Sequence, residues 1–437
     1  MKVVILDGSP QGGCRPIDDY LHHLSEVLEA DRRQVSQFTL RDMDVRTCIG
    51  CLDCLVRTPG ECSRPDAFPQ VCRAAVNSDF VLLASPLRMG FPTALLKMAI
   101  ERLVEGSVRS SGQMANREVH HAPRYSRYPR LGLLLAREED TDAADIRIVS
   151  DIFSRIALAV KTTLEFSMVA DQPVEQVAQA IATETGAGIT FDQRPFPTSG
   201  VRIPAPSRIT VFNGSPRGRR SNTVTLLDSF LRGFASSPGR SFEIIDLVRL
   251  KEAARFANAF AEAECVILGF PLYADSMPGI VKAFIESLEP LRGRAGNPPI
   301  GFLVQGGFPE AVHSRYVERY LEKLASRLGA PYLGTIVKGG CEIPLRETSA
   351  LQRHLHSALC LNWGMFDRLH RLGRSFGETG QLDPALLRGL ARPERYPGFL
   401  MPVFNHSGDS ALINHYFNVQ LKQHGAFERR SATPYLE

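Results

Sequence analysis

FNGSPRGRRSNTVTLL, Phe212 to Leu227, is the stretch that decides the fold. An apolar run enters it, Gly-Ser-Pro turns the chain, and Ser-Asn-Thr precedes a helical apolar pattern. A loop that joins a buried strand to a helix lies at the carboxyl edge of a parallel α/β sheet. Helix-terminal N–H groups and the helix dipole favour an anion there. Ser215, Ser221 and Thr223 add hydroxyls, Asn222 an amide and Arg217 a positive charge. Taken alone, the two tripeptides fit a tight turn and a helix cap equally well. A second copy of the turn stands near the N-terminus in LDGSPQGGCRPIDDYL, Leu6 to Leu21, without the Ser-Asn-Thr. Neither copy fits G-x-x-x-x-G-K-[ST], and no G-x-G-x-x-G follows a strand, so the P-loop and dinucleotide fingerprints are not supported.

Working outward, the chain repeats itself. SPLRMGFPTALLKMAIERL (Ser85 to Leu103) matches FPLYADSMPGIVKAFIESL (Phe270 to Leu288), and LGLLLA (Leu131 to Ala136) matches IGFLVQ (Ile300 to Gln305). Apolar runs predict strands near 2–7, 35–40, 79–84, 130–136 and 162–169, and again near 208–213, 242–247, 265–270, 299–305 and 332–338. Near-continuous apolar runs interleaved with amphipathic helices indicate a doubly wound parallel sheet in each half. The expected organisation is a first domain over 1–191, a Pro-rich linker over 192–207, a second domain over 208–345 and a helical or irregular extension over 346–437.

Composition sets the outer limits. With 44% hydrophobic and 22% charged residues, the 437-residue chain reads as globular. A net charge of +4 without a basic run argues against nucleic acid or a membrane surface as partner. No apolar stretch reaches the ~20 residues of a membrane span, and MKVVILDG reads as a strand, not a signal peptide. A cytoplasmic location is the expectation.

GSPRGRRSNT, then GFPLYADSMPGIVKAFIE, then QGGFPE resembles the NAD(P)H-dependent FMN reductase branch of the flavodoxin-like flavoproteins, over most of Arg208 to about Cys341. The resemblance implies two tandem flavodoxin-like α/β domains, each with a five-stranded parallel sheet in the order 2-1-3-4-5. It implies a phosphate loop at Ser215, Arg217, Ser221, Asn222 and Thr223, and an isoalloxazine-contacting loop at Pro271, Leu272, Tyr273 and Ala274. A third flavin loop falls at Gly306, Gly307 and Phe308. In the first half the Ser-Asn-Thr positions hold Arg15, Pro16 and Ile17, with Asp18 and Asp19 beside them, and Ala136-Arg137-Glu138-Glu139-Asp140 replaces the Gly-Gly loop. Pro16 lacks a backbone donor. The first domain therefore reads as a poor flavin site, with Arg15 as a substitute charge for a phosphate.

What the first half has instead is cysteine. TCIGCLDCLVRTPGEC places Cys48, Cys51, Cys54 and Cys62 as C-x2-C-x2-C-x7-C. A disulfide framework does not suit a chain of this size and expected compartment. Three cysteines at successive x2 spacings are typical of iron–sulfur ligation, whereas structural zinc usually takes two separated pairs. A [4Fe–4S] cluster leads this reading; zinc and no metal remain open. The motif resembles that of the iron–sulfur flavoproteins of the flavodoxin-like group, over roughly residues 1–105. The halves then look like two protomers fused in one chain, one keeping the cluster and the other the flavin.

Other features read as ordinary. His22-His23 and His120-His121 read as surface residues, and Glu105 to Arg130 as a long loop or lid. Cys14 reads as an inert small residue, and so does Cys341 at the end of the fifth strand, with a place near the substrate pocket as the lesser alternative. The tail carries the sole Trp363 and reads as cover for the flavin pocket or a subunit interface. No side chain stands out as acid or base. The expected activity is NAD(P)H-dependent flavin oxidoreduction, with FMN in the second domain passing electrons to the cluster or to a small-molecule or protein acceptor, and with pseudo-dimers able to associate. The alternatives are an electron-transfer or regulatory module without its own substrate, and a plain NAD(P)H:quinone or flavin reductase without a cluster.

Overall fold

The computed structural model describes residues 1–11, 15–115, 117–184, 188–190, 197–249, 252–341, 345, 363–396, 398 and 414–437. Cys14, the side chains of Arg15 and Pro16, and parts of the expected linker and tail lie outside the described residues. The chain divides into two units, Met1–Gln113 with His120–Gln193 and Ser407–Glu437, and Met114–Val119 with Arg194–His406.

The first unit is built on β1 (Lys2–Asp7), β2 (Gln34–Thr39), β3 (Phe80–Arg88), its antiparallel partner β4 (Phe91–Pro92), β7 (Arg130–Ala136) and β8 (Leu164–Val169). The parallel order is β2-β1-β3-β7-β8. Its helices are α1 (Arg15–Ala30), α2 (Asp53–Val56), α3 (Phe68–Val76), α4 (Ala94–Ser107), α5 (Ala143–Ala159) and α6 (Val174–Ala182). Leu21, Leu24 and Leu28 on one stripe of α1 pack with Val3, Ile5, Phe80 and Leu82 and with Val177 and Ile181 of α6, as an amphipathic helix on a two-sided sheet must.

The second unit repeats the plan with β9 (Arg208–Asn213), β10 (Ser241–Asp246), β11 (Val266–Pro271), β12 (Ile300–Gln305) and β13 (Tyr332–Lys338), in the order β10-β9-β11-β12-β13. Its first helices are α7 (Asn222–Ala235), α8 (Ala253–Ala261), α9 (Gly279–Ser287) and α10 (Val312–Leu328). In both units the parallel strands therefore follow the expected order 2-1-3-4-5. The likeness reaches fine detail: the pairing of the last two strands shifts register at Leu131/Gly132 in one unit and at Ile300/Gly301 in the other.

Two expectations need correction. Within the stretch read as a loop or lid, the chain forms β5 (Val108–Ala115) and β6 (Glu118–Pro123), a two-stranded sheet turning through Arg117 at φ 65°. Its mixed composition, with Arg, Ser, Gln, Glu and His among the few apolar residues, hid the strands. His120, on β6, is buried, not a surface residue.

Of the tail, the helix Met365–Thr379 packs against α7, with Leu369, Leu372 and Phe376 entering the core formed by Phe230 and Phe234. The two helices approach so closely that a Cβ at Gly233 would lie 1.9 Å from the carbonyl oxygen of His370. Gly233→Ala should therefore force the helices apart and cost about 1–3 kcal/mol. Thermal unfolding should show the loss; an unchanged melting temperature would contradict this packing.

Candidate functional site

Three loops at the carboxyl edge of the second sheet hold the residues read as flavin contacts. The first follows β9. Gly214 donates its N–H to Gly269 O (2.7 Å), and a Cβ there would lie 2.2 Å from Val281 Cγ2 of α9. Ser215, buried, donates its N–H to Asn213 Oδ1 (3.2 Å), while its Oγ accepts from the Arg217 N–H (3.4 Å). Ser221 is the N-cap of α7 and its hydroxyl accepts from the Val224 N–H (3.3 Å). Thr223 is fully buried. The Asn222 amide donates to Cys341 O (2.7 Å) and accepts from the Leu345 N–H (2.9 Å). That ties the loop after β9 to the chain leaving β13.

The second loop is Pro271, Leu272, Tyr273 and Ala274, running on to Ser276. Tyr273 and Ser276 exchange backbone hydrogen bonds (2.9 and 3.2 Å), and Ala274 and Asp275 between them have φ of 47° and 51°. Left-handed conformation at two non-glycine residues costs about 1–3 kcal/mol each, and such strain gathers at functional loops. The third loop is Gly306, Gly307 and Phe308. It is laced to the chain after β13 by Gly340 N–H to Phe308 O (2.8 Å) and Cys341 N–H to Gly306 O (2.9 Å). Burial pushes the Cys341 thiol up to about 12, which leaves it a neutral packing group beside the loops.

Gln305, missed in the sequence, joins all three. Its carbonyl accepts from the Leu272 N–H (2.7 Å), its Nε2 donates to Thr223 Oγ1 (3.4 Å), and Gly306 follows it. Its Oε1 is buried with no hydrogen-bond partner. A buried acceptor left unsatisfied costs about 1–3 kcal/mol, and a hydroxyl-bearing ligand seated among these loops would satisfy it. The residues thus fit FMN: hydroxyl and amide donors at a helix N-terminus for the phosphate, and glycines that let backbone approach a flat ring.

The first unit carries the same loops put to other use. Gly8 donates to Ala84 O (2.8 Å), and a Cβ there would lie 2.6 Å from Leu96 Cβ of α4. Gly-Ser-Pro survives in both copies because the turn must pass close to the helix after the third strand, whatever it binds. Asp7 stands where the second copy has Asn213. Its carboxylate accepts from the Ser9 N–H (2.9 Å) and Ser9 Oγ (2.5 Å), and Arg41 bridges it (3.3 Å) to Asp18 (3.0 Å). Burial raises the Asp7 carboxyl above its ordinary value in spite of these bonds. The loop is thus lined with acid. The second loop keeps its left-handed turn, at Met89 and Gly90 (φ 52° and 73°), but the Glu138 carboxylate accepts both their N–H groups (2.9 and 2.8 Å). A side chain of the protein thus takes up the amides of this turn.

The cysteine segment lies between β2 and α3. Gly50 and Leu52 flank Cys51 with φ of 67° and 63°, and the Gly50 N–H donates to Cys48 Sγ (3.4 Å). Left-handed residues in such a run turn backbone N–H groups into an anion-binding concavity of the kind found at iron–sulfur sites. Arg102 of α4 holds both ends of the segment. It donates to Arg46 O (3.0 Å) and pairs with Asp66, and lies 4.4 Å over the Phe68 ring. Burial alone would raise Asp66, but Arg102 and the amides of Arg46 and Phe68 hold it below the ordinary carboxylate value. The C-terminal residues close over the segment: the helix His415–Gln423 packs on α2, and Asn77 donates to Tyr435 O (2.7 Å). Cys51 is exposed and Cys48, Cys54 and Cys62 half-buried. The loop backbone and the number of thiols suit a cluster. The thiols themselves are not gathered: among the described residues no three His, Cys, Asp or Glu side chains are placed to share a metal ion.

Among the described residues no helix is long and apolar enough to cross a membrane.

Comparison with known proteins follows the duplication. The sequence profile of the NADPH-dependent FMN reductase family matches residues 1–121 and 207–335, together more than half of the chain. An iron–sulfur flavoprotein of Methanocaldococcus jannaschii is 30% identical over 105 residues, 23% of this chain and 51% of that protein. The chain spans about half the length of that curated relative. Among solved structures, an azoreductase from Bacillus anthracis is 17% identical, with a TM-score of 0.31, over 39% of this chain and 99% of its own. An NAD(P)H:quinone oxidoreductase from Methanothermobacter marburgensis is 14% identical, with a TM-score of 0.28, over 39% and 95%.

Proposed function

The chain belongs to the NADPH-dependent FMN reductase family, and from that premise we propose that it is an NAD(P)H-dependent flavin oxidoreductase whose FMN is held by the second unit. FMN supplies hydride acceptance from a nicotinamide and onward donation of electrons one or two at a time. The protein's part is to bind and orient: Ser215, Arg217, Ser221, Asn222 and Thr223 for the phosphate, Gln305 for the ribityl chain, and the loops 271–274 and 306–308 for the ring. The observation that carries this reading is one contrast between the copies. Where the first copy places Glu138 against the amides of Met89 and Gly90, the second, counting on from the paired strands β7 and β12, has Gly307, with no side chain to fill the place.

Cys48, Cys51, Cys54 and Cys62 are read as ligands of a [4Fe–4S] cluster that takes electrons from the flavin. Their spacing, the left-handed backbone around Cys51 and the iron–sulfur flavoprotein among the relatives support this part of the reading. FMN-loaded protein mixed anaerobically with NADH or NADPH should lose its oxidised-flavin absorbance within one turnover and regain it on addition of a quinone. If neither nicotinamide bleaches the bound flavin, the oxidoreductase reading fails, and a carrier module without its own substrate takes its place.

A further inference from the structure

Asp275, Glu310 and His313 form a buried group in the second unit with no role so far. His313 stands at the start of α10. Its Nδ1 lies 3.5 Å from Asp275 Oδ1 and its Nε2 3.6 Å from Glu310 Oε2; the three side chains are 8%, 10% and 0% exposed in the order His313, Asp275, Glu310. Glu310 is fixed from behind, its Oε1 accepting the Val119 N–H (2.8 Å), while Oε2 is buried without a hydrogen-bond partner. The His313 ring lies 5.3 Å from the Phe308 ring. Asp275 is the second left-handed residue of the middle loop, and Phe308 belongs to the third. His313 therefore bridges the two loops read as flanking the isoalloxazine, with a carboxylate at each ring nitrogen. In the first copy the corresponding positions, counted from the paired segments, are Gly90, Thr141 and Ala144. The group exists only in the copy whose flavin loops are not filled by Glu138.

We propose that His313 is the proton donor for reduction of the acceptor, with Asp275 and Glu310 as its positioning residues. This rests on the flavin reading above. Reduction of a quinone by NAD(P)H consumes one proton beyond the hydride: NAD(P)H, H⁺ and quinone give NAD(P)⁺ and hydroquinone. His313 gives that proton to the acceptor oxygen as the electron pair arrives and is reprotonated from solvent. Imidazole is the side chain suited to this exchange near neutral pH.

The test separates electron transfer from proton transfer. His313→Gln should bind FMN with the parent's affinity, and NAD(P)H should reduce it at the parent's rate. Reoxidation by a quinone should slow about a hundredfold, while reoxidation by ferricyanide, which takes electrons without protons, should not change. Asp275→Asn, which keeps the size of the turn residue, should slow the quinone step alone and by less. Independently of activity, FMN added to the apoprotein should shift the His313 ring signals in the NMR spectrum, identified by their absence from the Gln variant. Equal slowing with both oxidants, no slowing with either, loss of FMN from the Gln variant, or ring signals unmoved while flavin fluorescence is quenched would each overturn the proposal. A parent protein that binds no FMN would instead bring down the flavin reading itself.

Discussion

Titrating FMN into the protein should end at one equivalent per chain, and Ser221→Gly with Thr223→Val should weaken that binding a hundredfold or more. The stoichiometry follows from the difference between the loops. In the second unit the loop proposed to hold the phosphate offers Ser215, Ser221 and Thr223 at a helix N-terminus beside Arg217, and its entry residue, Asn213, is neutral. In the first, Asp7 and Asp18 face the same region across Arg41, and Glu138 fills the ring-loop amides. The size of the mutational effect comes from hydrogen bonds to a charged phosphate, worth about 1.5–3 kcal/mol each. The two substitutions are chosen to leave the fold alone. Glycine at an N-cap costs only a few tenths of a kcal/mol relative to serine, and Val keeps the shape of Thr223. The second change also takes away the acceptor of the Gln305 amide (3.4 Å). Equilibrium dialysis or flavin fluorescence gives both numbers. Two tightly held equivalents per chain, or a double variant that binds like the parent, would remove the basis for assigning the flavin to the second unit.

The parts of this molecule that could be read from sequence are those written in consecutive residues. The central strands β1, β3, β7, β9, β11 and β12 coincide with near-continuous apolar runs, because a strand buried on both faces needs apolar residues almost without a break; β2 and β10, half-exposed on the sheet edges, alternate polar with apolar residues. The hairpin β5–β6 mixes polar with scattered apolar residues and left no such trace. The phosphate loop was legible because its donors lie within a few residues of one turn. Asp7 against Asn213 was also visible, as D-G-S-P against N-G-S-P, though its meaning depends on which groups the fold brings to it: Arg41 and Asp18 in one case, Asp246 in the other (Asn213 Nδ2 donates to Asp246 Oδ1 at 2.8 Å). Gln305 read as the end of a core strand, and only its contacts with Leu272 and Thr223 reveal it as the joint of three loops. Asp275 and His313 are far apart in sequence and meet only through the turn at Ala274.

Protein prepared anaerobically with sufficient iron should carry about four iron and four sulfide per chain, and replacing Cys48, Cys51, Cys54 or Cys62 singly by Ala should abolish them, as Cys₄ ligation requires. The thiols are not gathered in the structure, so the prediction depends on whether the segment can bring them together. Its framework is anchored at both ends by Arg102, through Arg46 O and Asp66, and the left-handed Gly50 and Leu52 already turn the backbone around Cys51. The thiols are all exposed or half-buried, and turning such side chains costs little beside the strength of iron–thiolate bonds. Cys72, by contrast, is fully buried, and burial pushes its thiol up to about 12; Cys72→Ala should therefore keep its iron. Stoichiometric zinc, with no iron taken up on reconstitution, would show that the segment serves a structural ion. Given the cluster, Cys51→Ala distinguishes its role. FMN should remain bound and reducible by NAD(P)H, because none of its contacts is touched, while electron delivery to a one-electron protein acceptor such as a cytochrome c should fall most of the way to background. A variant that reduces the cytochrome as fast as the parent would mean that the cluster is not on the electron path, and that the cysteines hold iron for the stability of the first unit alone.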